Sequence, residues 1–330
     1  MLNEKLVLIT DKNEKIIDAS ISNRNLEGNN DISTKKISEA IINCVRDFEL
    51  YTDVEEFLYN IKKHKNDIIF PMKYGRNTPD SKSIIPGICE GADLKYIGAD
   101  DYAHMICNDK YSTKLYAREF GLKTAPSILL RNFQNQSLIR QQLKLLKLPL
   151  VIKPNFGGGS TGISKANVCF DYEEAYQLAT QLYKYHQMPI LVEEYIAGQE
   201  VELILVGNKS EIIFSKEVQL LMGKKEYFET EIWGFETKKI DDSNIDFKMS
   251  SFINEADRQK IHNVFQSFDK IEFMRVDGRV SNGEFHLIEL SPDCYLGDDC
   301  AFYYAFENEG YTLSQMFEFL IANGLNHYLQ

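Results

Sequence analysis

Leu150-Val-Ile-Lys-Pro-Asn-Phe-Gly-Gly-Gly-Ser-Thr-Gly-Ile-Ser164 decides the fold, because an apolar strand ending in one cation runs into a loop that cannot pack a core. The adjacent glycines Gly157, Gly158 and Gly159 let the backbone approach a ligand closely and turn several N–H groups towards one anion. With Lys153 in front of them they form a phosphate cradle. Residues 157–162 also satisfy the pattern G-x-G-x-x-G. A dinucleotide fingerprint, however, must open a helix after the first strand of a βαβ unit. Here the motif lies mid-chain and Ile163-Ser-Lys-Ala-Asn-Val168 follows with strand-like alternation, without the Gly-Lys-Ser/Thr ending of a P-loop. A glycine loop between two strands suits a flap that closes over nucleotide phosphates. The competing reading is a hairpin tip with no ligand.

The rest of the chain bounds the possibilities. Its 330 residues have room for two or three domains, and a net charge of −12 with no long basic run argues against nucleic acid as the main partner. The six cysteines show neither a Cys-x-x-Cys pair nor zinc-like spacing, so reduced, buried thiols and a cytoplasmic location are expected. Asp11, Lys12, Asn13 and Glu14 stand where a signal peptide would have its apolar core, and no run long enough for a membrane span appears.

Along the chain, strands are expected at 5–10, 50–52 and 67–72, with helices at 35–47 and 54–64, the second capped by Asp53. That alternation predicts a small parallel sheet. A helix over 111–120 closes at Gly121, and strands at 127–130 and 149–153 bracket a helix at 136–147. Strands follow at 189–194 and 200–206, then a charged stretch over 221–250 read as a long loop with strand pieces. A helix over 257–268, a hairpin of 273–280 with 285–290, and a last helix opened by the Thr312–Gln315 capping box and ending near Gly324 complete the expectation.

The hairpin carries the second chemical signal. Period two sets Arg275, Asp277 and Arg279 on one face of the outgoing strand, and Leu287, Glu289 and Ser291 on one face of the return strand. Asp277 and Glu289 converge only if the connecting loop has an odd residue count. Asn282-Gly283 invites a two-residue turn, which would send Glu289 away, so a three-residue loop over 282–284 is expected. Two carboxylates beside a phosphate cradle recruit Mg²⁺ or Mn²⁺, and Arg275, one pleat away, is placed to hold developing negative charge. The competing reading is a solvated, charged hairpin.

Taken in order, these pieces resemble the ATP-grasp superfamily and, within it, the D-alanine–D-alanine ligase branch. The resemblance runs from about residue 86 to the C-terminus. Its landmarks are Cys89-Glu-Gly91 with Tyr96-Ile-Gly98, Asn108-Asp-Lys110, Val151-Ile-Lys-Pro154 with Ser160-Thr-Gly162, Leu191 to Glu200, and Arg275-Val-Asp277 with Ile288-Glu-Leu-Ser-Pro292. It implies an α/β (α+β) protein of ATP-grasp fold. An N-terminal parallel-sheet domain over 1–100 would precede a central subdomain over 101–195 and a C-terminal one over 196–330. Lys110 and Lys153 would hold ATP phosphates under the loop of Gly158, Gly159, Ser160 and Thr161. Glu193, Glu194 and Ile196 would read adenine, Glu200 the ribose, and Lys238 would belong to a closing loop. Asp277, Glu289 and Ser291 would hold the metal, and Arg275, with Lys238 and Ser160, would serve the reaction. A carboxylate would attack the γ-phosphate and the acyl phosphate would be taken by an amine. The implied partners are small-molecule carboxylate and amine substrates, and a homodimer is admitted.

The departures bear on the substrate. The family carries a His-Gly-Gly-x-Ser-x-Glu segment after its first strand, where this chain has Asp11-Lys-Asn-Glu-Lys15. The family's His-Gly turn becomes Lys73-Tyr-Gly-Arg76, a glycine-loop serine appears as Gly159, and a metal-binding asparagine appears as Ser291, with Asp293 as a substitute ligand. Lys73 and Arg76 are therefore expected to face an acid other than D-alanine. A nucleotide-binding regulator without turnover, phosphoryl transfer without an amine acceptor, and D-alanine–D-alanine ligation itself stay open as alternatives.

Overall fold

Among the described residues, buried strand runs alternating with amphipathic helices build three sheets. The structure, a computed structural model, describes residues 2–11, 31–74, 81–160, 162–234 and 245–328. In the first sheet, β1 (Leu2–Thr10), α1 (Asp31–Ile42), β2 (Val45–Tyr51), α2 (Val54–Asn60), β3 (Ile68–Met72), α3 (Ile84–Ala92) and β4 (Lys95–Tyr96) follow one another. The strand order is β2-β1-β3-β4, and each pairing is parallel, as the alternation predicts. Asp53 caps α2 by accepting the Glu55 N–H at 2.8 Å. The helix expected at 35–47 instead covers α1, because β2 claims Val45 onward through its ladder with β1, from Leu2–Val45 to Ile9–Tyr51.

Next come α4 (Asp101–Asn108), α5 (Lys110–Glu119), β5 (Lys123–Thr124), β6 (Ser127–Leu130), α6 (Gln136–Leu143), β7 (Leu150–Pro154), β8 (Val168–Cys169), α7 (Tyr172–His186) and β9 (Ile190–Glu194). β6, β9, β7 and β8 form an antiparallel sheet in that order. The third sheet uses β10 (Gln199–Gly207), β11 (Ile212–Met222), β12 (Ile245–Met249), β13 (Phe273–Ser281) and β14 (Glu284–Pro292) in the order β12-β11-β10-β13-β14-β5. α8 (Glu255–Gln266), α9 (Ala301–Asn308) and α10 (Leu313–Asn326) complete it. Asn323 and Gly324 lie inside α10 and do not end it, because Gly324 packs closely on Ile97.

The first and third sheets share a core. Leu6, Leu8 and Phe70 from one side meet Phe273, Phe302 and Phe317 from the other, with Phe70 edge-on to Phe273 at 6.2 Å. The opposite face of the first sheet packs Val7, Ile9 and Phe57 with Cys89 of α3.

The hairpin that carries Asp277 and Glu289 differs from its expectation in an informative way. Asn282 and Gly283, with φ of 51° and 77°, form a two-residue turn flanked by the Ser281–Glu284 pair. The three-residue loop is therefore not used. Convergence comes from a β-bulge: Gly278 pairs with Leu287 but Asp277 pairs with Glu289, leaving Ile288 as the extra residue. Gly278 makes room for it, since a Cβ there would lie 2.2 Å from the Phe285 ring and 2.8 Å from the His286 carbonyl. We expect Gly278→Ala to lower stability by about 1–3 kcal/mol through overpacking, read as a lower urea midpoint. An unchanged midpoint would show that the bulge does not need the glycine.

Candidate active site

The antiparallel β6-β9-β7-β8 sheet and the β10-β13-β14 face wall a cleft of about 650 Å³, within the size range of small-molecule sites. It gathers most of the residues singled out above: Lys110, Lys153, Gly158, Gly159, Ser160, Glu193, Glu194, Ile196, Glu200, Arg275, Asp277, Glu289 and Ser291. Thr161, Lys238 and Arg76 lie outside the described residues.

The glycine loop is fixed at its root. The Asn155 amide donates to Asp109 at 2.8 Å, and its oxygen accepts the Tyr111 N–H at 3.0 Å. Asp109 is also the N-cap of α5, so one carboxylate starts the helix and ties down the strand that feeds the loop. Lys110 opens that helix, donates to the Gly157 carbonyl and lies 3.6 Å from Glu289. Gly157, Gly159 and Ser160 all have positive φ, the backbone state that turns loop N–H groups inward. The Ser160 hydroxyl donates to the Trp233 carbonyl at 3.2 Å, which ties the loop to the charged stretch.

Beneath the loop lies a buried three-charge clasp. Glu193 pairs with Lys153 on one side and, at 2.8 Å, with Lys114 on the other. Burial pushes the Glu193 carboxyl up, but the two ammonium groups outweigh it and hold it down at about 2. Burial pushes the Lys114 ammonium down while Glu193 opposes the shift. Glu193, expected to read adenine, therefore spends its carboxylate on positioning two lysines. Lys114 was not anticipated, although its place one helical turn after Lys110 puts both on one face of α5.

The expected ribose and adenine groups are also held within the protein. Arg279 donates to Glu200 at 2.9 and 2.7 Å, to the Ile196 carbonyl at 2.8 Å and to the Glu231 carbonyl at 2.8 Å. Its guanidinium stacks over Tyr195, 4.6 Å from the ring centre. Glu194 accepts the Lys147 N–H at 2.9 Å. Arg279, read from sequence only as sharing a face with Arg275 and Asp277, is buried and anchors the strand Glu200 sits on.

Asp277 and Glu289 face one another across the bulge, and Ser291 lies opposite Arg275 one pleat away. Arg275 grips Asp277 through two bonds of 2.7 Å and reaches Glu202 at 3.4 Å. Burial pushes the Arg275 guanidinium down, but these two carboxylates raise it well above its ordinary range. Burial pushes the Glu289 carboxyl up, and Lys110, with Lys153, Lys82 and Arg275 behind it, holds it below the usual range. This oxygen-only donor set, lying between cations, fits a hard divalent ion whose other positions would be filled by phosphate oxygens and water. No cluster of three His, Cys, Asp or Glu side chains suited to a metal occurs among the described residues.

Two expectations are corrected. Asp293 does not join this face: it accepts the Ala99 N–H at 3.1 Å and lies 2.9 Å from His104, buried, so the turn after β14 points it into the core. Lys73 does not line the cleft, because its ammonium lies 3.3 Å from Asp11. Cys294 and Cys300 do line it, but burial pushes both thiols up, Cys300 to about 12, which leaves them protonated and unreactive. All six cysteines are free and buried, and no described helix is long and apolar enough to cross a membrane.

The clasp yields a test. Glu193→Gln leaves two buried ammonium groups without their carboxylate, a loss of about 3–5 kcal/mol. Since the folded carboxyl is held down at about 2 from 4.5, its contribution is complete above pH 4.5 and lost as pH falls through 2. Urea unfolding of the wild type should weaken across that window, and the limb should flatten in the variant. Equal slopes would remove the clasp from the acid response.

The family model described as D-ala D-ala ligase C-terminus matches residues 117–322. The D-alanine–D-alanine ligase of Corynebacterium urealyticum is 31% identical over 177 residues, 54% of this chain and 46% of that protein. D-alanine–D-alanine ligase A of Escherichia coli is 36% identical over 144 residues, 43% of this chain and 38% of that protein. The chain thus matches less than half the length of these curated relatives. Among solved structures, D-alanine–D-alanine ligase from Bacillus anthracis complexed with ATP has a TM-score of 0.69 at 15% identity, covering 98% of both chains. The D-Ala:D-Ser ligase from Enterococcus faecalis has a TM-score of 0.67 at 21% identity, covering 98% of this chain and 99% of that one.

Proposed function

This chain belongs to the D-alanine–D-alanine ligase branch of the ATP-grasp superfamily, and from that premise we propose that it is an ATP-dependent carboxylate–amine ligase working through an acyl phosphate. The observation that carries the reading is the meeting, in one cleft, of a lysine-armed glycine loop with two opposed carboxylates and an arginine. Lys110 and Lys153 hold the phosphates of ATP, and the loop of Gly158, Gly159 and Ser160 covers the γ-phosphate. Asp277 and Glu289, with Ser291, would hold Mg²⁺, which when bound supplies charge neutralisation between the nucleotide and the acid. Ile196 and its neighbours line the adenine end, and Glu200 the ribose.

The first step brings two anions together, so its barrier is electrostatic, and fixed cations lower it without reorganising at the moment of reaction. Arg275 is the group for the second step. Held by Asp277 and Glu202, it stays charged and aimed at the sheet face, where an oxyanion forms when the amine attacks the acyl carbon. In this reading the first sheet supplies the acid's pocket, and the parts from about residue 101 supply the nucleotide and metal face. The relatives named above are ligases for D-alanine, so D-alanine is the first acid to test. Against it stands Asp11: in place of the family's glycine segment, this carboxylate is spent on Lys73 and on the Tyr74 N–H.

ADP release across a panel of carboxylates and amines, with mass detection of product, tests the proposal. Amide formed with stoichiometric ADP supports it; tight ATP binding with no turnover for any pair would favour a nucleotide-binding regulator. We further expect Glu289→Gln to fold normally and lose at least about a hundredfold in ADP release, on the order of 3 kcal/mol of transition-state stabilisation. Near-wild-type turnover in a folded variant would take Glu289 out of the metal face.

A further inference from the structure

Glu193 sits on β9 opposite Val151, and Lys153 lies two residues further along β7, so both side chains leave the same face of their sheet and line the cleft. Each oxygen of the carboxylate has its own lysine. Lys153 holds Oε1, and the Lys114 ammonium lies 2.8 Å from Oε2.

The two lysines are not equivalent. Lys153 stands near the end of the strand that runs into the glycine loop, and its charge is felt at Glu289 as well as at Glu193. Lys114 comes from a helix that is fastened on both sides of it. One turn earlier, Lys110 donates to the Gly157 carbonyl. One turn later, Arg118 donates to the Thr124 hydroxyl at 2.8 Å and to the Ala125 carbonyl at 3.3 Å. Lys114 itself is fully buried, and its ammonium also lies 3.5 Å from the Leu287 carbonyl of β14. The strand lysine can turn along the cleft, whereas the helix lysine is held where it is.

A lysine that serves a phosphate must first leave its carboxylate. Glu193 is buried, and a buried carboxylate stripped of its cation is strongly destabilising. If Lys153 were its one partner, the carboxylate would keep it. With Lys114 on the other oxygen, Glu193 stays compensated while Lys153 turns away, and the exchange costs one contact of two instead of the whole pairing.

Resting on the ligase reading for the identity of the nucleotide, we propose that Lys114 is a positioning residue for ATP: it is the resident counter-ion of Glu193, and by staying in place it releases Lys153 to the phosphates. Lys114 acts through the carboxylate and not on the nucleotide.

Calorimetry on the full chain tests this without knowledge of the acid or the amine. In Lys114→Met, Glu193 keeps only Lys153 and should hold it, so the Kd of a non-hydrolysable ATP analogue with Mg²⁺ should rise at least about tenfold. Adenosine offers Lys153 no phosphate, and its Kd should move less than about threefold. Removing the competing carboxylate as well, in Lys114→Met/Glu193→Gln, frees Lys153 and should return the Kd of the analogue to within about threefold of wild type. A helix lysine that only braces the wall gives a different pattern, in which both ligands weaken together and the second substitution adds to the loss. That pattern, an unchanged Kd in Lys114→Met, or a wild type that does not bind the analogue overturns the proposal.

If Lys114→Met does not fold, the double variant decides, since it replaces a buried ion pair by two neutral side chains and is expected to fold. A double variant that is unfolded, or that binds the analogue more weakly than that threefold limit, overturns the proposal. Tight analogue binding without ADP release for any acid and amine sinks the ligase reading alone, and the same Kd values still judge Lys114.

Discussion

Two carboxylates on neighbouring antiparallel strands share a face only when the residue count between each and the turn has the right parity. The Asn282-Gly283 turn alone gives the wrong parity, and the bulge at Ile288 corrects it. The arrangement of the carboxylate face depends on that one extra residue. Without it Glu289 would point away from Asp277, towards the side where α5 and α8 pack, and would lie there without Lys110. The bulge in turn depends on the missing side chain of Gly278 and on the Phe285 ring that fills the space. Backbone geometry and core packing, not the acids themselves, thus set where the two carboxylates meet.

Once the acids converge, their mutual repulsion must be offset. The cleft does this with cations placed in advance: Lys110 near Glu289, Arg275 on Asp277, Lys114 and Lys153 on Glu193, Arg279 on Glu200. Breaking one member of such a buried pair costs far more than the pair contributes, so the set behaves as a unit. The same pairing stores the charge needed for phosphate. In the proposed ligase reading, a nucleotide bringing its own negative charges with a divalent ion would take lysines from carboxylates and give a cation in return. Local neutrality is kept at each exchange, and the lysines have little distance to travel. This is electrostatic preorganisation in the sense that matters for transferring a phosphoryl group between anions.

Much of this was legible in the sequence wherever the cause is local. Lys153 before the glycines, the Asp53 cap, the Thr312 capping box and the shared face of Arg275 and Asp277 all follow from spacing within a few residues. Causes that act across the fold were not legible. The helix α7 passed unread among polar residues, and the bulge followed from a ring seven residues away from the glycine it needs. Asp293 looked like a ligand because it lies four residues past Glu289, yet His104 and Ala99, nearly two hundred positions earlier, draw it into the core. Lys73 and Arg76 drew attention by charge; Arg76 lies outside the described residues, Lys73 is held by Asp11, and Lys82, in the same polar stretch, lines the cleft. Spacing alone does not distinguish Lys73 from Lys82; the contact with Asp11, at the end of the neighbouring strand, does.

The family match begins at residue 117 and takes in the glycine loop and the carboxylate hairpin, whereas Ser33, Tyr74 and Lys82 precede it, together with Lys110 and Lys114 of α5. Physical chemistry gives a reason for that division. Triphosphate and divalent metal require fixed distances and a fixed charge balance, so the segments holding them have few workable sequences. An acid substrate needs only a cavity of the right size and one counter-charge aimed at whatever it carries besides its reacting carboxylate. In the proposed ligase reading the acid is met from the side of the first sheet, where a change of side chain can alter the pocket without disturbing the lysines, the bulge or the arginine, because none of them bears on it mechanically.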